Sequence, residues 1–314
     1  MRYGYLIRRL LIACANLLAA VSLVFLMVRL IPGDPVSLLL GDAFNPEAAE
    51  KLRAELGLNL SLWNQYLDFL GRLFSGSMGT SLITHQPVFE EVFANFGFTL
   101  QLAFAGLLVG VLLGVPAGMV AALNRGKLAD LVAMTGATVG ISMPSFWLGI
   151  LLMIAFAVEL KWLPMFGVGQ PARPLDMVTH LILPAVTLGL RGAALTARVT
   201  RSSMLEVLGL DYIRTARGKG LSGFAITWRH ALRNSMLPVV TVVGMDLARM
   251  LGGTTVIETV FSRPGIGTLL VGSVLNRDYP MVQGAFLVYL LVIVLSNLLV
   301  DLIYARLDPR VAFK

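Results

Sequence analysis

Few side chains in this sequence have the type and spacing that covalent chemistry requires. The three histidines, His85, His180 and His230, are scattered, and none stands in an HExxH pair that would hold zinc from one helical face. The single cysteine, Cys14, cannot supply the missing ligands and excludes an internal disulfide. No GxSxG stands ready as a nucleophile elbow, and no GxxxxGK[ST] offers a loop to cradle the phosphates of ATP. What remains is an ionisable pair in apolar surroundings and one basic run broken by glycines. Asp246 and Arg249 lie three apart, a spacing that lets them meet on one helical face. Each costs at least about 2.5 to 3.5 kcal/mol at the centre of a membrane helix, so they face protein or water. A structural ion pair and the lining of a water-filled path are both compatible with that placement. One turn later, Gly252-Gly253 fits either close helix packing or close approach of a solute. The basic run extends from Asp211 to Asn234 and interleaves Arg214, Arg217 and Lys219 with Ala216, Gly218, Gly220 and Gly223.

The elements that carry these groups are membrane elements. Of 314 residues, 57% are hydrophobic and only 14% charged, with a mean hydropathy of +0.79. Soluble domains run to roughly 45 to 50% apolar and about 25% charged. The apolar residues also come in long blocks, six of which match the roughly 20 residues that a helix needs to cross a bilayer. They are 10–31, 98–123, 131–158, 180–200, 235–257 and 281–304. The fourth is interrupted by His180, Pro184, Arg191 and Arg198; dropping it would place the basic run on the outside. Pro116 and Pro144 predict kinks in the second and third spans. Arg29 and Asp301, near span ends, read as snorkelling side chains. Most of the first apolar run follows Cys14, the wrong order for a lipoprotein cleavage box. That run reads as an uncleaved signal anchor with a buried free thiol.

Charge asymmetry sets the orientation. With the N-terminus inside, segments 1–9, 124–130, 198–234 and 305–314 carry fifteen Lys and Arg against four acids. Segments 32–97, 159–179 and 258–280 then carry seven basic and twelve acidic residues. Both termini are expected in the cytoplasm, and the net charge of +7 follows from topology without any nucleic acid. Two extramembrane segments exceed simple turns. The external one, 32–97, opens a helix at Asn45-Pro46-Glu47, continues with Ala49, Leu52, Leu56 and Leu60 at helical spacing, and adds an apolar-aromatic run from Leu62 to Phe74. It reads as a helical cap on the outer membrane surface, which is compatible with a docking platform. The internal one, 201–234, reads either as an anchor for anionic headgroups or as short helices around a glycine turn. Clustered glycines argue for the latter, since an amphipathic anchor gains nothing from breaks in its helix.

The run Asp211-Tyr212-Ile213-Arg214-Thr215-Ala216-Arg217-Gly218-Lys219-Gly220-Leu221-Ser222, with Arg229-His230-Ala231-Leu232-Arg233-Asn234, resembles the cytoplasmic coupling segment of ABC-importer permeases. More narrowly it resembles the dipeptide, oligopeptide, glutathione and nickel permeases. Also similar are Pro32-Gly33-Asp34-Pro35, Leu56-Gly57-Leu58, Met78-Gly79-Thr80-Ser81, Ser142-Met143-Pro144-Ser145-Phe146-Trp147, Gly252-Gly253 with Glu258, Pro264-Gly265-Ile266-Gly267, Arg277-Asp278-Tyr279-Pro280 and Leu307-Asp308-Pro309-Arg310. The superfamily's coupling motif reads EAA, three residues, then Gly, ending near Leu-Pro. Here Arg214-Thr215-Ala216 stands where EAA would, Gly220 takes the glycine position, and Leu232-Arg233 replaces Leu-Pro.

The resemblance implies an all-α, six-span, type I ABC-importer permease fold in a bacterial inner membrane, divided into 1–31, a periplasmic cap at 32–97 and a core at 98–314. It implies a homologous second permease, two ATP-binding subunits that hold ATP and Mg, and a periplasmic binding protein that delivers peptides, with nickel chelates or opines as alternatives. This chain itself would carry no cofactor, no metal and no catalytic residue. Arg214, Ala216, Arg217, Gly218 and Gly220 would couple to the ATPase; Asp246, Arg249, Gly252, Gly253 and Met143 would line the path; Trp63, Pro264, Asp278 and Tyr279 would meet the binding protein. The rival of another class is an ATP-independent secondary transporter, which often shows an inverted repeat. No convincing repeat relates the two halves.

Overall fold

The computed structural model describes residues 2–30, 36, 40, 45–55 and 57–307, with side chains at 11, 12, 14–29 and 279–298 in the first and last helices. Leu56, Pro32-Gly33-Asp34-Pro35 and Asp308-Pro309-Arg310 lie outside the described residues. The described helices are α1 (Arg2–Leu30), α2 (Pro46–Glu55), α3 (Leu62–Phe74), α4 (Val88–Leu123), α5 (Leu128–Ser142) and α6 (Ser145–Glu159). They continue with α7 (Pro174–Leu208), α8 (Asp211–Gly218), α9 (Gly223–Val260), α10 (Ile266–Leu275) and α11 (Tyr279–Leu307). The one β pairing among the described residues is the isolated Thr80–Pro87 bridge, so the fold is all-α.

Four helices, α4, α7, α9 and the Tyr279–Leu298 part of α11, are each long and apolar enough to cross a bilayer. The α5–α6 pair reaches that length only as a broken unit, and the apolar stretch Cys14–Arg29 of α1 is shorter. These elements follow the order of the six expected spans, with two corrections. First, 131–158 is not one kinked helix: α5 and α6 are set at 108° to each other. Met143 (ψ 132°) and Pro144 (ψ 132°) are both extended; Met143 is so because the proline ring excludes its predecessor from helical space. Second, Cys14 is exposed, not buried; an apolar face that meets lipid or a partner exerts no demand to hide a thiol.

The chain forms two compact units. The first comprises Met1–Phe98 and Gly265–Leu298. In it α3 lies along α1 through Phe25, whose ring is 5.3 Å from Tyr66 and 5.7 Å from Phe69, and through a 2.6 Å hydroxyl contact between Ser22 and Tyr66. Val24 and Val28 of α1 pack with Tyr279 and Val282 of α11. Val88 and Val92 pack under Ile266, Met281 and Ala285, which explains why α4 begins ten residues before the expected span.

The second unit comprises Thr99–Pro264 and Leu299–Lys314, and α7 is its hub, packed against α5, α6 and α9. A stripe of glycines at every fourth position on α4, Gly106, Gly110, Gly114 and Gly118, presents bare backbone to α7. A Cβ added at Gly110 would stand 3.5 Å from the Gly189 carbonyl oxygen, and one at Gly114 2.6 Å from that of Ala193. At Gly118 it would strike the Ala197 carbonyl, and at Gly189 that of Gly106. Small residues let membrane helices approach this closely, and van der Waals packing then holds them.

Candidate functional site

The basic run emerges where α7 ends at Leu208. One face of α8 is apolar: Ile213 and Ala216 are buried against Ile226 at the start of α9. The other face presents Arg214, Arg217 and Lys219, all exposed, with Arg214 3.4 Å from the exposed Asp211. The helix closes in a Schellman turn, in which Leu221 N–H bonds Ala216 O (3.3 Å) and Gly220 N–H bonds Arg217 O (2.9 Å). That turn holds Gly220 at φ +77°, in the left-handed region that glycine enters freely. Space around it is open, since nothing lies within 4 Å of a Cβ at Gly218 or Gly220. Ser222 Oγ then accepts the Ala225 N–H (3.3 Å) and restarts the helix. The Tyr212 hydroxyl donates to His230 O (3.4 Å) and accepts from Asn234 Nδ2 (2.8 Å). Exposed Phe224 and Trp228 meet one turn apart with their rings tilted, 5.9 Å between centroids. The result is a cationic knob braced on the foot of α9. Gly218 closes its helix and Gly223 opens the next, while Ala216 faces the brace inward.

The Asp246 carboxylate lies over Gly192 of α7, so close that a Cβ there would meet Oδ2. No Asp246–Arg249 ion pair forms among the described residues; Arg249 is exposed, and it acts on Asp246 electrostatically together with Arg191. Gly252 is exposed and Gly253 half-buried, its Cβ position 3.6 Å from Leu188. Met143, half-buried at the bend, lines an open concavity with Ser142, Pro144, Phe146 and Trp147.

Of the expected docking residues, Trp63 is 65% exposed, Pro264 is half-buried, and Asp278 and Tyr279 are buried at 3% and 7%. Asp278 is already engaged. Its Oδ1 accepts Leu82 N–H (3.1 Å) and Met281 N–H (3.3 Å), and its Oδ2 accepts the Ser81 hydroxyl. A carboxylate so committed shapes the turn after α10 and reaches a partner only through the backbone it holds.

Two polar joints carry no local signature in the sequence. Asp130, at the start of α5, takes a bidentate bond from Arg201 of α7 (2.6 and 2.7 Å) and the Gly126 N–H (2.9 Å). The Arg201 guanidinium first, then that N–H, hold the Asp130 carboxyl down at about 2 against the opposing effect of burial, and Asp130 in turn raises Arg201. Elsewhere Thr99 Oγ1 donates to the fully buried Glu258 (2.7 Å), and buried Arg263 donates to Gln101 (2.6 Å). Among the described residues no group of three His, Cys, Asp or Glu is placed to hold a metal.

Helices long and apolar enough to cross a bilayer, packed through bare-backbone contacts and carrying an exposed cationic knob, are the build of an integral membrane protein. Known families agree: binding-protein-dependent transport system inner membrane component matches residues 114–313, and its N-terminal companion matches residues 2–103. The chain belongs to this family. The permease is 39% identical over 331 residues to the dipeptide transport system permease protein DppB of Alkalihalophilus pseudofirmus. It is 42% identical over 311 residues to the glutathione transport system permease protein GsiC of Escherichia coli K12. Each alignment covers 99% of both chains. A solved structure of the MetNI methionine ABC transporter in an inward-facing conformation matches 70% of the permease and 97% of that chain, at a TM-score of 0.56 and 18% identity. That likeness shows the fold. The permease is therefore an integral inner-membrane subunit of a transport system.

Proposed function

We propose that the permease forms, with a homologous second permease, the path by which an ATP-driven importer takes up short peptides, including glutathione-like ones. The supporting observation is near-complete alignment with relatives named for dipeptide and glutathione transport. Two ATP-binding subunits hold ATP and Mg, since this chain has no phosphate-binding loop, and a periplasmic binding protein delivers the peptide.

In this reading both termini and α8 face the cytoplasm. Arg214, Arg217 and Lys219 pair with acids on the ATPase, charge-assisted contacts about twice as strong as neutral ones, while the Ile213–Ala216–Ile226 brace passes the displacement to α9. The outer surface at Trp63 and Pro264 receives the binding protein, with Asp278 and Tyr279 shaping the turn beneath it. Asp246, Arg249, Gly252, Gly253 and Met143 line the path. ATP binding closes the motor, the spans open outward, and hydrolysis restores the inward-facing state.

The test is uptake of labelled glutathione and a labelled dipeptide into vesicles that hold the permease with its copurified partners. Uptake that needs both ATP and the binding protein is expected. Uptake without ATP would transfer the permease to the secondary-transporter class.

A further inference from the structure

The first unit contains a cavity of about 260 Å³ among α1, the cap helices and the start of α11. Two arginines line it, Arg29 and Arg72, near enough that the charge of Arg72 repels that of Arg29. Arg29 spends its Nε on Gln65 Oε1 (2.8 Å) and lays its guanidinium 4.8 Å from the Phe25 ring centroid, so it is held in place and does not snorkel freely. Among the described residues Arg72 donates only a long bond to its own helix, to Asp68 O at 3.4 Å. Neither forms an ion pair among the described residues. Gln283 lines the same cavity, and its buried Nε2 has no hydrogen-bond partner. Buried donors left unmatched in a native fold call for an absent acceptor. Glu55, Ser77 and Thr80 also reach the lining, and another part of the wall is apolar, with Phe69 and Leu73.

Two guanidiniums and an amide donor beside apolar side chains suit an anion that carries a hydrophobic body. Arg29 closes the apolar stretch Cys14–Arg29, so an α1 that enters the bilayer would set the cavity at headgroup level. Guanidinium forks match phosphate oxygens bidentately. We propose that this cavity binds the phosphate of a membrane phospholipid, held by Arg29, Arg72 and Gln283, with the acyl region against Phe69 and Leu73. The lipid would tie the cap to α1 and α11 within the first unit. The proposal requires a membrane helix at α1 but is independent of what the permease transports.

Native mass spectrometry of the full-length permease, delipidated and then given phosphatidylglycerol or a phosphate-free diacyl glycolipid of the same chains, tests it. Retention of the phospholipid about tenfold above the glycolipid is expected, with a loss of similar size in Arg72→Gln and a complete loss in the Arg29→Gln/Arg72→Gln double variant. Arg72 is exposed, so the single variant folds even if the double one does not. Arg125→Gln, in the exposed loop before α5, controls for a general loss of basic charge and retains lipid. Equal retention of both lipids, or retention unchanged in Arg72→Gln, overturns the proposal. Equilibrium dialysis with labelled inorganic phosphate separates the two sources of the anion. Binding to the delipidated permease that Arg72→Gln abolishes would overturn the lipid assignment in favour of a soluble anion, and no such binding is expected.

Discussion

Two joints of the second unit are built in opposite ways. Between α4 and α7 the glycine stripe brings backbone onto backbone, and at Gly114, Gly118 and Gly189 no side chain can be added without a collision. Between α8 and α9 the hold is three apolar side chains, the Tyr212 hydroxyl bonds and one glycine turn, while the outer face keeps its cations exposed, with Arg214 touching only the exposed Asp211 of its own helix. A close-packed interior deforms little and transmits displacement; an exposed charged face is free to be gripped. A membrane part driven by a soluble motor needs both, one joint that does not give and one that can be held.

The comparison breaks first at its rigid end. Gly114→Leu should destabilise the permease by about 3 kcal/mol or more, the upper range of overpacking, read as loss of the monodisperse peak and of the thermal transition in detergent. Gly136→Leu should change stability by less than about 0.5 kcal/mol, because nothing lies within 4 Å of a Cβ there. Equal melting of the two variants would show that the stripe is not the rigid joint. At the turn, Gly220→Ala should cost about 1 kcal/mol, since its φ of +77° penalises a Cβ. Gly220→Asn should cost less, and a Gly220→Ala chain that unfolds at the same denaturant strength as the parent would remove backbone conformation as the reason for glycine. Gly220→Arg adds bulk to the docking face as well and should lower ATP-driven uptake more than Gly220→Asn does; equal uptake would separate that face from coupling.

The smallest effect is confined to acid. The carboxyl of Asp130 is held down at about 2, below the roughly 3.9 of an unperturbed aspartate. Its contribution to stability is therefore complete above about pH 4 and is lost as pH falls towards about 2. Melting temperatures taken from pH 6 to 2 should fall more steeply across that window for the parent than for Asp130→Asn. Parallel curves would show that the Asp130–Arg201 bond does not hold α5 to α7.

The spans were legible because a bilayer demands long apolar runs, and the coupling segment because glycines interrupt a charged stretch. The stripe at Gly106, Gly110, Gly114 and Gly118 was legible too, in its period of four, but it stood inside a span already explained by hydropathy and passed as composition. Pro144 marked the bend in the third span. Its size was not readable, because it depends on Pro144 as well as Met143 being extended. Ser81–Asp278 and Asp130–Arg201 join residues 197 and 71 apart, and no local pattern announces such a meeting. For the same reason nothing in the sequence announces that the Asp278 oxygens accept from Ser81, Leu82 and Met281.

The central claim is that α8 is where an ATP-hydrolysing partner grips the permease. The most direct measurement is mass spectrometry of what copurifies with the tagged chain from its native membrane in mild detergent, for the parent and for Arg214→Glu/Arg217→Glu. Both side chains are exposed and none of their contacts holds the fold, so the variant should melt as the parent does. The account predicts ATP-binding subunits with the parent and their loss from the variant, while the second permease stays. Undiminished recovery of those subunits with the variant, or a parent chain that purifies alone and moves solute without ATP, would contradict it.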